Sequence, residues 1–110
     1  MAVIVTTDDP TGLLKAIKKA IDDKAIVTWS YDKDGDFTHT PDQFIYKAWL
    51  IPKIYPGELR LGILKRKDEN LSIFLYGIYH GRFIEMLLTH FDKAFTKAIA
   101  TAQKTEPDNF

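Results

Sequence analysis

The chain has no cysteine, no long apolar run and no net charge, and each absence removes a class of protein. Without cysteine there is no disulfide, no thiol chemistry and no thiolate-bound zinc. A reducing cytoplasm suits such a chain. No apolar run approaches the roughly 20 residues that cross a bilayer. The start, Met-Ala-Val-Ile-Val-Thr-Thr-Asp-Asp, lacks the basic region and the length of a signal peptide. These features point to a cytoplasmic protein with no membrane partner. Fifteen basic residues balance fifteen acidic ones, so a dedicated nucleic-acid binder, which is usually basic overall, is not expected. Also missing are a Gly-rich phosphate loop, a nucleophile elbow and a His-Glu-x-x-His pair. No motif in the chain calls for a metal or a cofactor.

What is present fits one folded domain. At 110 residues the chain can bury roughly two thirds of its unfolded surface, enough for a core without staples. Rings are abundant: seven Phe, five Tyr and two Trp. That is more than one small core needs, so some rings are expected on a binding surface. Charge is sorted along the chain. Asp32 to Asp42 carries four aspartates and one lysine, whereas Lys47 to Lys67 carries six basic residues and Glu58. Such sorting arises in solvated hairpin ends and also suits a partner with a complementary field.

Periodicity and turn residues predict the elements. Ala2 to Thr6 reads as a strand. Asp9-Pro10 opens a helix, with Asp9 capping and Pro10 at the first helical position. Leu13, Leu14, Ile17 and Ile21 carry that helix to about Lys24. Ile26 to Tyr31 is a strand, and Asp34-Gly35 is a two-residue hairpin signal. This register sets Tyr31-Asp32 against Phe37-Thr38. Phe44 to Ile51 and Leu59 to Lys65 are further strands, closed by Pro52 and by a Lys67-to-Asn70 turn. Leu71 to Tyr79 is apolar on both faces and reads as a central strand. From Arg82 a helix runs to about Gln103, with Ile84, Leu87, Leu88, Phe91, Phe95, Ala98, Ile99 and Ala102 as its stripe. The predicted fold is α+β, one domain over residues 1–103, in the order β-α-β-β-β-β-β-α. It has one mixed or antiparallel sheet of five or six strands with two helices. Residues 104–110 read as a flexible tail.

Two clusters carry candidate chemistry. Asp32-x-Asp34-x-Asp36 opens like a calcium loop of the EF-hand type, which requires glycine at its sixth position and a bidentate glutamate at its twelfth. Phe37 and Gln43 stand there instead. With Asp34-Gly35 as the whole turn, Asp32 and Asp36 fall on opposite sheet faces, so no convergent carboxylate site is expected. The second cluster is His39, His80, Arg82 and Glu85. Two imidazoles supply an acid and a base for phosphodiester cleavage, with Arg82 for the phosphate and Glu85 to orient a histidine. Structural roles compete: a histidine at a strand–helix junction often bonds backbone, and Arg82 with Glu85 is also a helix-surface pair.

The segments Trp-Ser-Tyr-Asp-Lys-Asp-Gly-Asp-Phe-Thr-His-Thr-Pro and Tyr-His-Gly-Arg-Phe-Ile-Glu-Met-Leu-Leu-Thr-His-Phe-Asp resemble small uncharacterised bacterial α+β proteins. The resemblance covers about a quarter of the chain, brings no activity with it and implies a bacterial, cytosolic setting.

With no catalytic motif, the leading expectation is a protein-binding protein of the immunity or antitoxin type, which neutralises a cognate toxin or enzyme. The expected contact residues are Asp32, Asp34 and Asp36 on the hairpin, Trp29 and Tyr31 at its base, and Phe83, Met86 and His90 beside the stripe of the last helix. One alternative is a metal-independent nuclease or phosphodiesterase using His39, His80, Arg82 and Glu85. Another is stacking of single-stranded nucleic acid on a sheet face built from Trp29, Tyr31, Tyr46, Trp49, Phe74 and Tyr76. The same aromatic face would serve a homodimer.

Overall fold

The computed structural model describes residues 1–68 and 72–110. The elements run β1 (Val3–Thr6), α1 (Pro10–Asp22), β2 (Trp29–Tyr31), β3 (Phe37–His39), β4 (Ala48–Tyr55), β5 (Glu58–Lys65), α2 (Ile73–Phe91) and β6 (Lys97–Ala100). One six-stranded antiparallel sheet has the order β2-β3-β4-β5-β1-β6. The α+β class with two helices and a single sheet therefore holds. The last two elements are exchanged in chain order relative to the sequence pattern: a helix comes first and a strand closes the chain.

The exchange has a local and a tertiary cause. Ser72 accepts a hydrogen bond from the Leu75 N–H and caps a helix that begins at Ile73. Leu75, Tyr79, Phe83 and Leu87 then recur at four-residue spacing and are buried. The double-faced apolar run read as a central strand over Leu71 to Tyr79 is the first half of this helix; Leu71 itself lies outside the described residues, as do Glu69 and Asn70 of the predicted turn. The helix stops at Phe91, not near Gln103. Lys97–Ala100 instead pairs with β1, setting Ala98 against Val5 and Ala100 against Val3. Alanine and lysine favour helix, but β1 offers an open row of amides, and pairing overrides the propensity.

β4 also departs from the pattern. It starts at Ala48 and runs through Pro52 to Tyr55. Ile63 gives its N–H to Asp108 and its C=O to the Asn109 N–H. Its pair with Leu50, and the Leu61–Pro52 pair two residues on, are therefore those whose amides point away from each other. The missing N–H of Pro52 would point toward β3, which begins only at Phe37. A proline there costs no ladder bond.

Val3, Val5, Phe37, Leu50, Leu59, Leu61 and Ile63 form the buried sheet face under the two helices. Leu13 and Ile17 of α1 join Tyr79, Phe83 and Leu87 of α2 above it. The last residues, read as a flexible tail, are tied to β5. Asp108 accepts from the Ile63 N–H at 2.7 Å, and Arg60 donates to the Glu106 carbonyl at 3.3 Å. Gly62 leaves room for this: a Cβ there would lie 2.4 Å from the Pro107 carbonyl carbon.

Candidate functional site

The hairpin β2–β3 differs from the two-residue turn by one position. Tyr31 pairs with Phe37, and Trp29 with His39. The Gly35 N–H bonds the Asp32 carbonyl at 2.9 Å, and Gly35 takes φ 85°. This is a three-residue loop in which a type I turn is followed by a left-handed glycine. A slip of one residue exchanges sheet faces, so Asp32 now lies opposite Asp36, with its N–H bonded to the Asp36 carbonyl. The separation of the aspartates is thereby corrected. One ligand oxygen from each of Asp32, Asp34 and Asp36 lies within 4.8 Å of the others. Asp32 Oδ1 accepts from the Asp34 and Asp36 N–H groups, each at 3.0 Å. Partial burial, then Asp32 and Asp34, push the Asp36 carboxyl up, and Lys18 pulls it down. These oxygens are close enough to share a cation, while Phe37 and Gln43 still occupy the positions that define a calcium loop.

A second site lies between this hairpin, the turn that follows it and one face of α2. It is a cleft of about 340 Å³. Arg82, Glu85, Met86, Thr89 and His90 reach it from α2, at the spacing of a single helical face. Trp29 and His39 come from the hairpin, and Gln43 and Phe44 from the turn.

His39 is the best-defined group in the cleft. It is 5% exposed. Its ring is 4.6 Å from that of Trp29 and stacks on Phe44 at 5.7 Å. Nδ1 lies 2.7 Å from the Thr28 carbonyl. A carbonyl only accepts, so the ring donates through Nδ1. Burial lowers its affinity for a proton; the Thr28 bond and Glu85 oppose this, and Arg82 adds to it. The neutral ring then carries its lone pair on Nε2, which has no protein partner among the described residues. The sealed, unpaired side-chain atoms are Trp29 Nε1 and Tyr55 Oη. His39 Nε2 is not one of them and so keeps an opening to solvent.

Tyr79 positions this ring indirectly. Its hydroxyl donates to the Phe44 carbonyl at 2.6 Å and sits 3.0 Å from Thr38 Oγ1. Thr38 in turn accepts from the Tyr46 N–H and donates to the Ala48 carbonyl, both at 3.1 Å. This network holds the turn in which Tyr46 adopts φ 60°, a left-handed value uncommon for a residue with a side chain.

The four predicted acid–base residues separate into three and one. His39, Arg82 and Glu85 share the cleft, and Arg82 pairs with Glu85 at 3.0 Å. Glu85 thus holds the arginine and no histidine. His80 is 3% exposed, with its ring nitrogens on the carbonyls of Tyr76 and Met1. It is a core residue of α2 and is corrected from the set. His90 is exposed and lines the cleft in its place.

The predicted contact residues also divide. Asp32 and Asp34 are exposed, and Asp36 and Tyr31 are half-buried. The Tyr31 hydroxyl donates to Asp22 at 2.7 Å. Trp29, Phe83 and Met86 are buried and not free for a partner, because the helix turns that face onto the sheet. Leu88, read as core, is exposed instead. The expected aromatic sheet face is not assembled: Trp29 is core, Phe74 and Tyr76 are on α2, and Tyr46 is in a turn. Of that set only Trp49 lies on the sheet face away from the helices, since it alternates with the buried Ala48 and Leu50. A homodimer through that face has Trp49 alone of these rings to build on.

Sequence reading missed Gln43, Phe44 and Thr89 as cleft residues. The signal for Thr89 was available: Arg82, Glu85 and Thr89 share one helical face. Nothing in the sequence signals that the turn after β3 folds onto that face. No family model, curated protein or solved structure matches the chain. Among the described residues, no helix is long and apolar enough to cross a membrane.

Proposed function

We propose that the His39 cleft binds a small organic anion, a phosphate or carboxylate attached to a flat or apolar body, and that His39 acts there as proton acceptor. One observation carries this reading: a neutral imidazole, oriented by the Thr28 carbonyl and clamped between Trp29 and Phe44, lines a cleft that also holds Arg82. The guanidinium supplies charge for the anion, and Trp29, Phe44 and Met86 supply apolar wall. A cytoplasmic location belongs to the same proposal.

Phenyl phosphate is a suitable probe because it combines an anion with a ring. Titrated into the protein, it is expected to shift the His39 ring resonances. Arg82→Ala, at an exposed position, should weaken binding by about 10-fold or more, the value of a charged hydrogen bond. Equal affinity in Arg82→Ala and His39→Gln, with native spectra in both, would sink the reading.

The convergence of Asp32, Asp34 and Asp36 at the hairpin tip favours a second reading. The tip presents negative charge to a cationic protein, and the neutralisation of a toxin or enzyme is the function this serves. A protein retained by the chain at low salt should be lost when all three aspartates are changed to asparagine. Retention of the same protein by the triple variant overturns that reading.

A further inference from the structure

Resting on the acid–base reading of the cleft, we propose that its substrate is the phosphodiester of short single-stranded RNA, cleaved by attack of the neighbouring 2′-hydroxyl. Nε2 of His39 is an acceptor, so the ligand must bring a donor to it. Arg82, in the same cleft, calls for an anion beside that donor. A ribose 2′-hydroxyl next to a phosphodiester provides both, and deoxyribose provides only the anion. The walls of Trp29 and Phe44 accept a base. The indole N–H of Trp29 is buried without a partner, and an unpaired buried donor calls for an acceptor that a phosphate or base oxygen can supply.

His90 completes the pair of imidazoles. It reaches the cleft from the last turn of α2 and is exposed. In the step, His39 Nε2 takes the 2′-hydroxyl proton as the 2′-oxygen bonds phosphorus. The bond from phosphorus to the 5′-oxygen breaks, and the His90 imidazolium gives its proton to that oxygen. The products are a 2′,3′-cyclic phosphate and a 5′-hydroxyl, with no electron gained or lost and no water consumed. Arg82 stands against the phosphoryl oxygens, and Glu85 holds Arg82 as a positioning residue. The small cleft and the zero net charge fit a site for one phosphate, not a long polyanion track. Binding should therefore depend on salt with a slope near that of a single phosphate contact, about 0.7 per decade for a single strand.

The test uses the full chain and a labelled hexaribonucleotide in EDTA, with all-DNA and 2′-O-methyl versions alongside. RNA should be cut to a cyclic-phosphate end, identified by mass, while both analogues stay intact. His39→Gln and His90→Gln should each slow cleavage by about 100-fold or more. His90 is exposed, so its variant keeps the fold even if the His39 variant does not. Cleavage of DNA, cleavage at the wild-type rate in the His90 variant, or loss of cleavage in EDTA overturns the proposal. If phenyl phosphate shifts His39 and RNA stays intact, the substrate is wrong and the cleft reading stands. If neither occurs, both fall.

Discussion

His39 carries its history in its surroundings. A charged imidazole loses water on burial between Trp29 and Phe44, and this is the main reason its proton affinity falls below the ordinary histidine value. The unfolded ring titrates near 6.5. Between that value and the lower folded one, the unfolded chain holds a proton that the folded chain does not. The ring's contribution to stability is therefore present above about pH 6.5 and is lost as pH falls through the folded value. Urea midpoints taken from about pH 7 to about pH 5 should fall more steeply for the wild type than for His39→Gln. Asp36, whose carboxyl is pushed up, contributes with the opposite sign and equally in both proteins. Parallel slopes would show that His39 does not take up the proton on unfolding. At this scale the sequence was a fair guide to residue type and a poor one to partner. It marked His39, Arg82 and Glu85, but gave His80 the role that falls to His90. Position 80 follows Tyr79 on the helix, on the side that meets the start of the chain, and only the packing of α2 reveals that.

At the scale of the element, legibility followed locality. α1 matched its prediction because its signals are contiguous: the Asp9 cap, Pro10 and the Leu13/Ile17 stripe. β2 and β3 were found, but in a register one residue off. Asp-Lys-Asp-Gly-Asp supports both a two-residue and a three-residue loop, and the strand aromatics decide between them. The chosen register sets Trp29 and Phe37 on the core face, where both are fully buried. α2 and β6 were misread because their boundary depends on β1, some 90 residues away in sequence. The tail is likewise an element only by virtue of its seat. In Gly62→Ala the new Cβ would meet backbone, 2.4 Å from Pro107 C and 2.5 Å from Asp108 N. Backbone cannot swing aside as a side chain does, so the tail must shift, at about 1–3 kcal/mol. The Asn109 amide should exchange faster in that variant, and the urea midpoint should drop. Unchanged exchange at Asn109 would mean the tail does not rest on Gly62.

At the scale of the molecule, the sequence by itself determined the class. Its length, its alternating and helical apolar periods and its turn residues require one sheet and two helices around a single core, because no other arrangement buries those stripes. It also determined that the acidic charge gathers at one hairpin and that imidazole, guanidinium and carboxylate are available without thiols. Tertiary structure alone decided where these groups meet. The cleft joins residues 28–44 to residues 82–90, and no local rule links those segments. Tyr79 does so physically, by bonding the turn after β3 from within the core. The three aspartates converge for a related reason: burial of Trp29 and Phe37 sets the register, and the register turns Asp32 to face Asp36. In both sites the polar chemistry is arranged by apolar packing, which is a property of the whole fold and not of any stretch of sequence.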